Sequence, residues 1–164
     1  MNNIAFTLSS PEFADGSHLD AAYQADRDKQ SPVLQWQGAP AGTRSFAIAM
    51  HDPDAPTGGA GWWHWLAFNL PANTHALPRN AGAASGDNMP AGTRQMRNDG
   101  GNTGYMGCYP PVGDPAHRYI FTVYALDTDT LDIAADVTTS MAGFVINAHT
   151  LAKTSLTVYY ARSE

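Results

Sequence analysis

The sequence predicts a mainly β domain, an antiparallel sheet system with one late helix. Three observations predict it. Apolar and β-branched runs of strand length recur at 44–51, 63–70, 117–126 and 154–160. The chain holds 15 glycines and 11 prolines, which favours turns over long helices. Only residues 136–152 show a helical apolar stripe. At 164 residues the chain is expected to form a single domain, 1–164, long enough to bury a core.

Each element follows from local pattern. Residues 1–45 are mixed, with turns at Ser31-Pro32 and Ala39-Pro40-Ala41-Gly42. Arg44 to His51 reads as a strand with two apolar faces, because Phe46, Ile48 and Met50 alternate with Ala47 and Ala49. Asp52 to Gly61 is a Pro/Gly loop, and Trp63 to Leu70 is a strand stopped by Pro71. Residues 72–97 are loop-rich, with a weak strand signal at Thr93 to Met96. Asn98 to Ala116 is a long Gly/Pro stretch, of a length often tied to function. His117 to Leu126 is the strongest strand. Asp136 to Ala152 is predicted as a helix burying Met141, Phe144, Val145, Ala148 and Leu151, and Thr154 to Tyr160 as a closing strand.

Composition excludes several classes of partner. A net charge of −6 opposes non-specific nucleic-acid binding and docking on anionic lipid. No apolar run reaches the roughly 20 residues of a membrane helix. Met1 to Leu8 has no secretory-signal pattern, and the single Cys108 excludes an internal disulfide, so a cytoplasmic setting is expected.

The chemistry concentrates in three segments. Asp52-Pro53-Asp54-Ala55-Pro56 puts two carboxylates on a proline-pinned turn. Trp62-Trp63-His64-Trp65 supplies an imidazole, and His117-Arg118-Tyr119 opens the best strand. If the strands around His51 and Trp63 are antiparallel neighbours, and the His117 strand runs with the second, all three segments meet at one end of the sheet. His117 and Tyr119 then share a face. Asp52 reads as the pocket residue and Asp54 as the turn stabiliser. Arg118 reads as a structural ion-pair partner, and Trp62 as an apolar pocket edge. Either Pro53 or Pro56 could be cis. His18, His51, His75 and His149 read as structural, and Cys108 as a non-catalytic thiol.

These segments closely resemble the phosphatidylethanolamine-binding protein (PEBP) family. Gly104-Tyr105-x-Gly107 with Pro110-Pro111-x-Gly113 is similar to its bacterial, Raf-kinase-inhibitor-like branch, and Ser31-Pro32-x-Leu34-x-Trp36 fits it too. The resemblance implies a Greek-key β-sandwich with one large and one small sheet. It implies a small-anion pocket lined by Asp52, Asp54, His64, Pro110, Pro111, His117 and Tyr119. The histidines would be donors and the Tyr119 hydroxyl a further contact. Gly107 and Gly113 would let backbone amides approach the anion. Two departures stand out. Cys108 replaces a proline common in the bacterial branch. The last strand ends close to residue 164, where animal relatives carry a helix flanking the pocket.

By resemblance the function is non-enzymatic binding of a small phosphorylated or anionic ligand, without cofactor or metal, with modulation of a kinase as one outcome. A protease inhibitor or interaction scaffold is the alternative, acting through loops 78–92 or 98–111. A metal-dependent hydrolase using Asp52, Asp54, His64 and His117 is the third reading. Homodimerisation is expected through Trp, Tyr and Met side chains left on a sheet face.

Overall fold

The computed structural model describes residues 4–25 and 30–163. Met1 to Asn3, part of the Met1 to Leu8 segment read as lacking a secretory-signal pattern, lie outside them. Among the described residues eight strands form two antiparallel sheets. In chain order they are β1 (Thr7–Ser9), β2 (Leu34–Gln37), β3 (Ser45–Asp52), β4 (Trp62–Pro71), β5 (Ala76–Leu77), β6 (Arg94–Gln95), β7 (His117–Leu126) and β8 (Thr150–Tyr160). The small sheet runs β1-β2-β5 and the large one β6-β4-β3-β7-β8. The helix α1 (Thr139–Ala148) and a 3-10 turn at Ala21–Tyr23 complete the elements. The mainly β prediction, with one large and one small sheet, is what the chain adopts.

The two apolar faces of β3 explain the layering. It is the central strand of the large sheet. Phe46, Ile48 and Met50 pack into the space between the sheets with Leu8, Leu34, Trp36 and Phe121. Ala47 and Ala49 face the other way, into a second cluster with Leu66, Phe68, Ala142 and Ile146 under α1. Both faces are therefore dry, which is the physical meaning of a strand without polar alternation.

The helix corrects one expectation. It spans Thr139–Ala148, not 136–152, and it buries Thr139, Ala142, Gly143 and Ile146. Met141 and Phe144, expected inside, are 52% and 73% exposed. Gly143 faces Trp63, where a Cβ would make an ordinary van der Waals contact at 3.5 Å, and Ala142 and Ile146 fill the rest of the buried face while Met141 and Phe144 turn out. Thr138 caps the start, its hydroxyl accepting from the Met141 amide at 3.1 Å. Leu151 and Ala152 belong to β8, which pairs with β7 from Thr150 onward. The large exposed apolar side chains thus sit on α1 and in loops more than on a sheet face, while Trp36 and Trp65 are buried.

Register delivers the pocket residues. β3 is antiparallel to both β4 and β7, so β4 and β7 run the same way. Asp52 at the end of β3, His64 near the start of β4 and His117 at the start of β7 therefore meet at one end of the sheet. His64 has an unusual place there. Met50 pairs with Trp65 and His51 with Trp63, so His64 is the extra residue of a β-bulge. The bulge also switches faces: Trp63 packs under α1 and Trp65 in the inter-sheet core. Bulges re-aim side chains in this way beside functional sites. Among the described residues no helix is long and apolar enough to cross a membrane.

Candidate functional site

Asp52 organises the turn that follows β3. Its Oδ1 accepts the Asp54 amide at 2.8 Å, closing a local turn over Pro53. Its Oδ2 accepts from Nδ1 of His117 at 2.7 Å. One buried carboxylate thus shapes the loop and orients the ring. Pro53 and Pro56 both follow trans peptide bonds. Gly61, where the loop returns, has no room for a side chain, since a Cβ would lie 2.6 Å from the Asp52 carbonyl oxygen at φ +70°.

Asp54 turns the other way. Its carboxylate accepts from the Arg118 amide at 2.8 Å and from the guanidinium at 2.9 and 3.1 Å. The hydrogen bond from the Arg118 side chain is the main reason its pKa falls to about 2. Asp54 therefore clamps the loop to β7, and Arg118 is the structural ion-pair partner its strand phase suggested.

His117 has no free nitrogen. Nδ1 donates to Asp52, and Nε2 donates to Oδ2 of Asp114 at 2.9 Å. Carboxylates only accept, so the ring carries both protons and a positive charge. Burial is the largest single influence on this group and opposes the charge. The hydrogen bonds from Asp52 and Asp114 together outweigh it and hold the pKa above the ordinary histidine value.

His64 is the opposite case. Its Nδ1 lies 3.1 Å from the Gly107 carbonyl and 3.3 Å from that of Met106. Carbonyls only accept, so the proton is on Nδ1 and Nε2 keeps a bare lone pair. Burial drives its pKa down to about 4, against the pull of Asp52. The two histidines share one aromatic neighbour: the Tyr119 ring meets His64 edge-on at 5.2 Å and stacks on His117 at 6.4 Å.

A cavity of about 270 Å³ opens between these groups. Asp52, His64 and His117 supply its polar wall with Thr57, and Pro110 and Pro111 face them. Ala55, Pro56, Trp62, Met106 and Tyr109 make the rest apolar. Two expected pocket residues stand elsewhere. Asp54 is not in the lining and is held by Arg118. Tyr119 is fully buried behind the imidazoles, and its hydroxyl makes no well-formed hydrogen bond. Asp114 was not singled out in the sequence, although an acid three residues before a histidine in a Pro-rich loop is a readable signal.

The 98–116 loop is tied down on both sides. The Asp99 amide donates to the Trp63 carbonyl at 2.9 Å, and the Met106 amide to that of His64 at 2.9 Å. Cys108 donates its amide to the Tyr23 carbonyl at 3.0 Å and accepts from the Ala25 amide at 2.8 Å. A proline at position 108 could not make the first of these bonds. Burial pushes the Cys108 thiol far above the usual range, which leaves it a poor nucleophile. Gly107 is needed for contact with the 3-10 turn, since its Cβ would meet the Tyr23 carbonyl oxygen at 2.7 Å.

The comparisons with known proteins agree with this architecture. Residues 9–161 match the family model described as phosphatidylethanolamine-binding protein. The chain is 48% identical over 159 residues to the UPF0098 protein YbhB of Escherichia coli, covering 94% of this chain and 99% of that one. It is 40% identical over 161 residues to Escherichia coli YbcL, covering 95% and 87%. The crystal structure of YbcL, described as a new member of the mammalian PEBP family, superposes with a TM-score of 0.92 over 96% of this chain and 99% of that one. A Chlamydia trachomatis PEBP homologue at 28% identity gives 0.82 over 99% of this chain and all of the other. The chain therefore belongs to the phosphatidylethanolamine-binding protein family.

Proposed function

We propose that this chain is a non-enzymatic binding protein whose cavity takes a small phosphate-like anion, with an anionic oxygen on Nε2 of His117. One observation carries the reading. That nitrogen already donates to an anionic oxygen, the Asp114 carboxylate at 2.9 Å, while Asp52 keeps the ring charged from behind. Charge-assisted hydrogen bonds of this kind are the strong ones. A ligand would take the place of Asp114, with Pro110, Pro111 and Trp62 as a stiff apolar frame. The family's name, that of a binding protein for a phosphorylated lipid, supports the same chemistry.

A binding role also suits the state of the side chains. His117 has no free lone pair while both carboxylates hold it, and the lone pair on Nε2 of His64 belongs to a weak base, its pKa lowered by burial to about 4. Cys108 is buried and hard to ionise. A metal-centred reading needs a grouping of ligands that the described residues do not provide. A phosphorylated side chain of a partner protein would fit the same cavity, which is the route by which a kinase pathway would be reached. A buried free thiol at Cys108 fits a cytoplasmic setting.

Thermal unfolding with phosphate, phosphoethanolamine and acetate at pH 6 and pH 8 tests the reading. The phosphate ligands should raise the Tm, and more so at pH 6, where more of the His117 ring is protonated. No shift with any of them would contradict it.

A further inference from the structure

We propose that Arg162 is a positioning residue for the bound anion: it holds the Tyr109–Pro110 wall of the cavity in place once a ligand has drawn Asp114 away from His117. This rests on the anion-binding reading above and deepens it, because it names the group that keeps the occupied cavity in shape.

Strand register brings Arg162 to the site. β8 pairs Tyr160 with His117, so Ala161 and Arg162 run past the end of the sheet at which the cavity opens. Nε of Arg162 donates to the Pro110 carbonyl at 2.9 Å. Its Cζ lies 4.0 Å from the centroid of the Tyr109 ring. Tyr109 and Pro110 both line the cavity, and Arg162 does not. It therefore acts on a ligand through the wall and not by touching it. A planar guanidinium can donate in its plane and stack on a ring with its face at the same time. Arg44, Arg79 and Arg118 are spent on carboxylates, whereas Arg162 is spent on this turn.

The turn needs such a hold. Residues 109–116 run from Cys108, whose backbone is pinned to Tyr23 and Ala25, to His117, the first residue of β7. The Asp114 amide donates to the Pro111 carbonyl at 3.2 Å, which closes the turn on itself and ties it to nothing else. Among the described residues, two well-formed hydrogen bonds join 109–116 to other parts of the chain. One is Asp114 on Nε2 of His117, and the other is Arg162 on the Pro110 carbonyl. Tyr109 and Val112 are each 46% exposed, so burial adds little at those points. An anion that takes Nε2 removes the first hydrogen bond and leaves the second.

The two states therefore depend on Arg162 unequally. The free protein holds the turn twice and the liganded protein once. Losing Arg162 weakens the liganded state more, and only such a difference between states changes affinity.

Calorimetric titration of the whole protein with inorganic phosphate at pH 6 tests this. Arg162→Met should bind phosphate about fivefold more weakly than wild type, the scale of one hydrogen bond, with its Tm within a few degrees. Arg162→Lys keeps the charge and should still bind about threefold more weakly, since an ammonium cannot make both contacts at once. In an Asp114→Ala background the turn has lost its first hydrogen bond in both states. Adding Arg162→Met there should change the affinity by less than about twofold. Wild-type affinity in Arg162→Met, with or without a lowered Tm, overturns this inference and leaves anion binding standing. So does wild-type affinity in Arg162→Lys, or a loss that persists undiminished in the Asp114→Ala background, since either makes Arg162 a remote charge. Absence of phosphate binding by wild type overturns both.

Discussion

The carboxylate of Asp114 lies 2.9 Å from Nε2 of His117, three residues along the same loop-to-strand junction. With Asp52 at 2.7 Å from Nδ1, the imidazole is held between two acids. That makes its charge part of the fold. A histidine whose folded pKa is raised adds stability that is fully present below its unfolded value of about 6.5, and that is lost as pH rises through the folded value. Replacing it by Gln, which cannot be charged, should cost about 3 kcal/mol at pH 6, the scale for breaking a buried pair. The cost should shrink steadily at higher pH. Urea unfolding of wild type and His117→Gln from pH 6 to pH 9 reads this directly, and a pH-independent difference would contradict it.

His64 should act in the opposite sense. Its folded pKa is about 4, below the unfolded value, because burial excludes the proton. The neutral ring is tolerated and the charged ring is not, so stability is present above about pH 6.5 and falls as pH drops toward 4. The loss over that window is on the order of 3 kcal/mol. His117 adds no pH dependence there, since its contribution is complete below about 6.5. Asp54, with a pKa near 2, loses its contribution only at lower pH, as it falls below about 4. The His64→Gln variant should therefore have a flatter stability profile between pH 4 and pH 6.5 than wild type.

Tyr119 should prove dispensable for its hydroxyl and not for its ring. The ring carries the packing of both histidines, while the hydroxyl is buried without a well-formed partner. Removing an unsatisfied polar group costs little and can stabilise. Tyr119→Phe should keep the wild-type Tm within a few degrees or exceed it, and should bind phosphate within about twofold of wild type. Tyr119→Ala, which leaves a cavity behind the imidazoles, should lose about 3–5 kcal/mol of stability. A large loss of phosphate affinity in Tyr119→Phe would show that the hydroxyl reaches the ligand after all.

Much of this was legible in the residues, and the exceptions have physical causes. The strand at His117–Leu126 is bounded as its β-branched and aromatic run suggests, and β3 starts and ends one residue from its predicted limits. Continuous apolar strands announce themselves, because two dry faces leave no polar alternation. The helix face was not legible. The face with the largest side chains looked buried, but the helix turns Ala142, Gly143 and Ile146 to the sheet, a choice set by its docking and not by its own periodicity. The short strands Thr7–Ser9 and Ala76–Leu77 carry too few residues for a periodic signal. At the site, convergence of Asp52, His64 and His117 followed from strand direction, whereas the bulge at His64 depends on pairing register, which no local pattern encodes. Asp54 and Tyr119 matched the family pattern by type, yet one is spent on Arg118 and the other lies behind the wall.

The central claim is that an anion displaces Asp114 from His117, and the affinity of Asp114→Ala for inorganic phosphate tests it most directly. Freed of its internal competitor, Nε2 should bind phosphate about tenfold more tightly than wild type at pH 6, the gain of about one charge-assisted hydrogen bond that no longer has to be broken. Phosphate binding that is weaker in a folded Asp114→Ala protein, or absent from both proteins, would contradict the account.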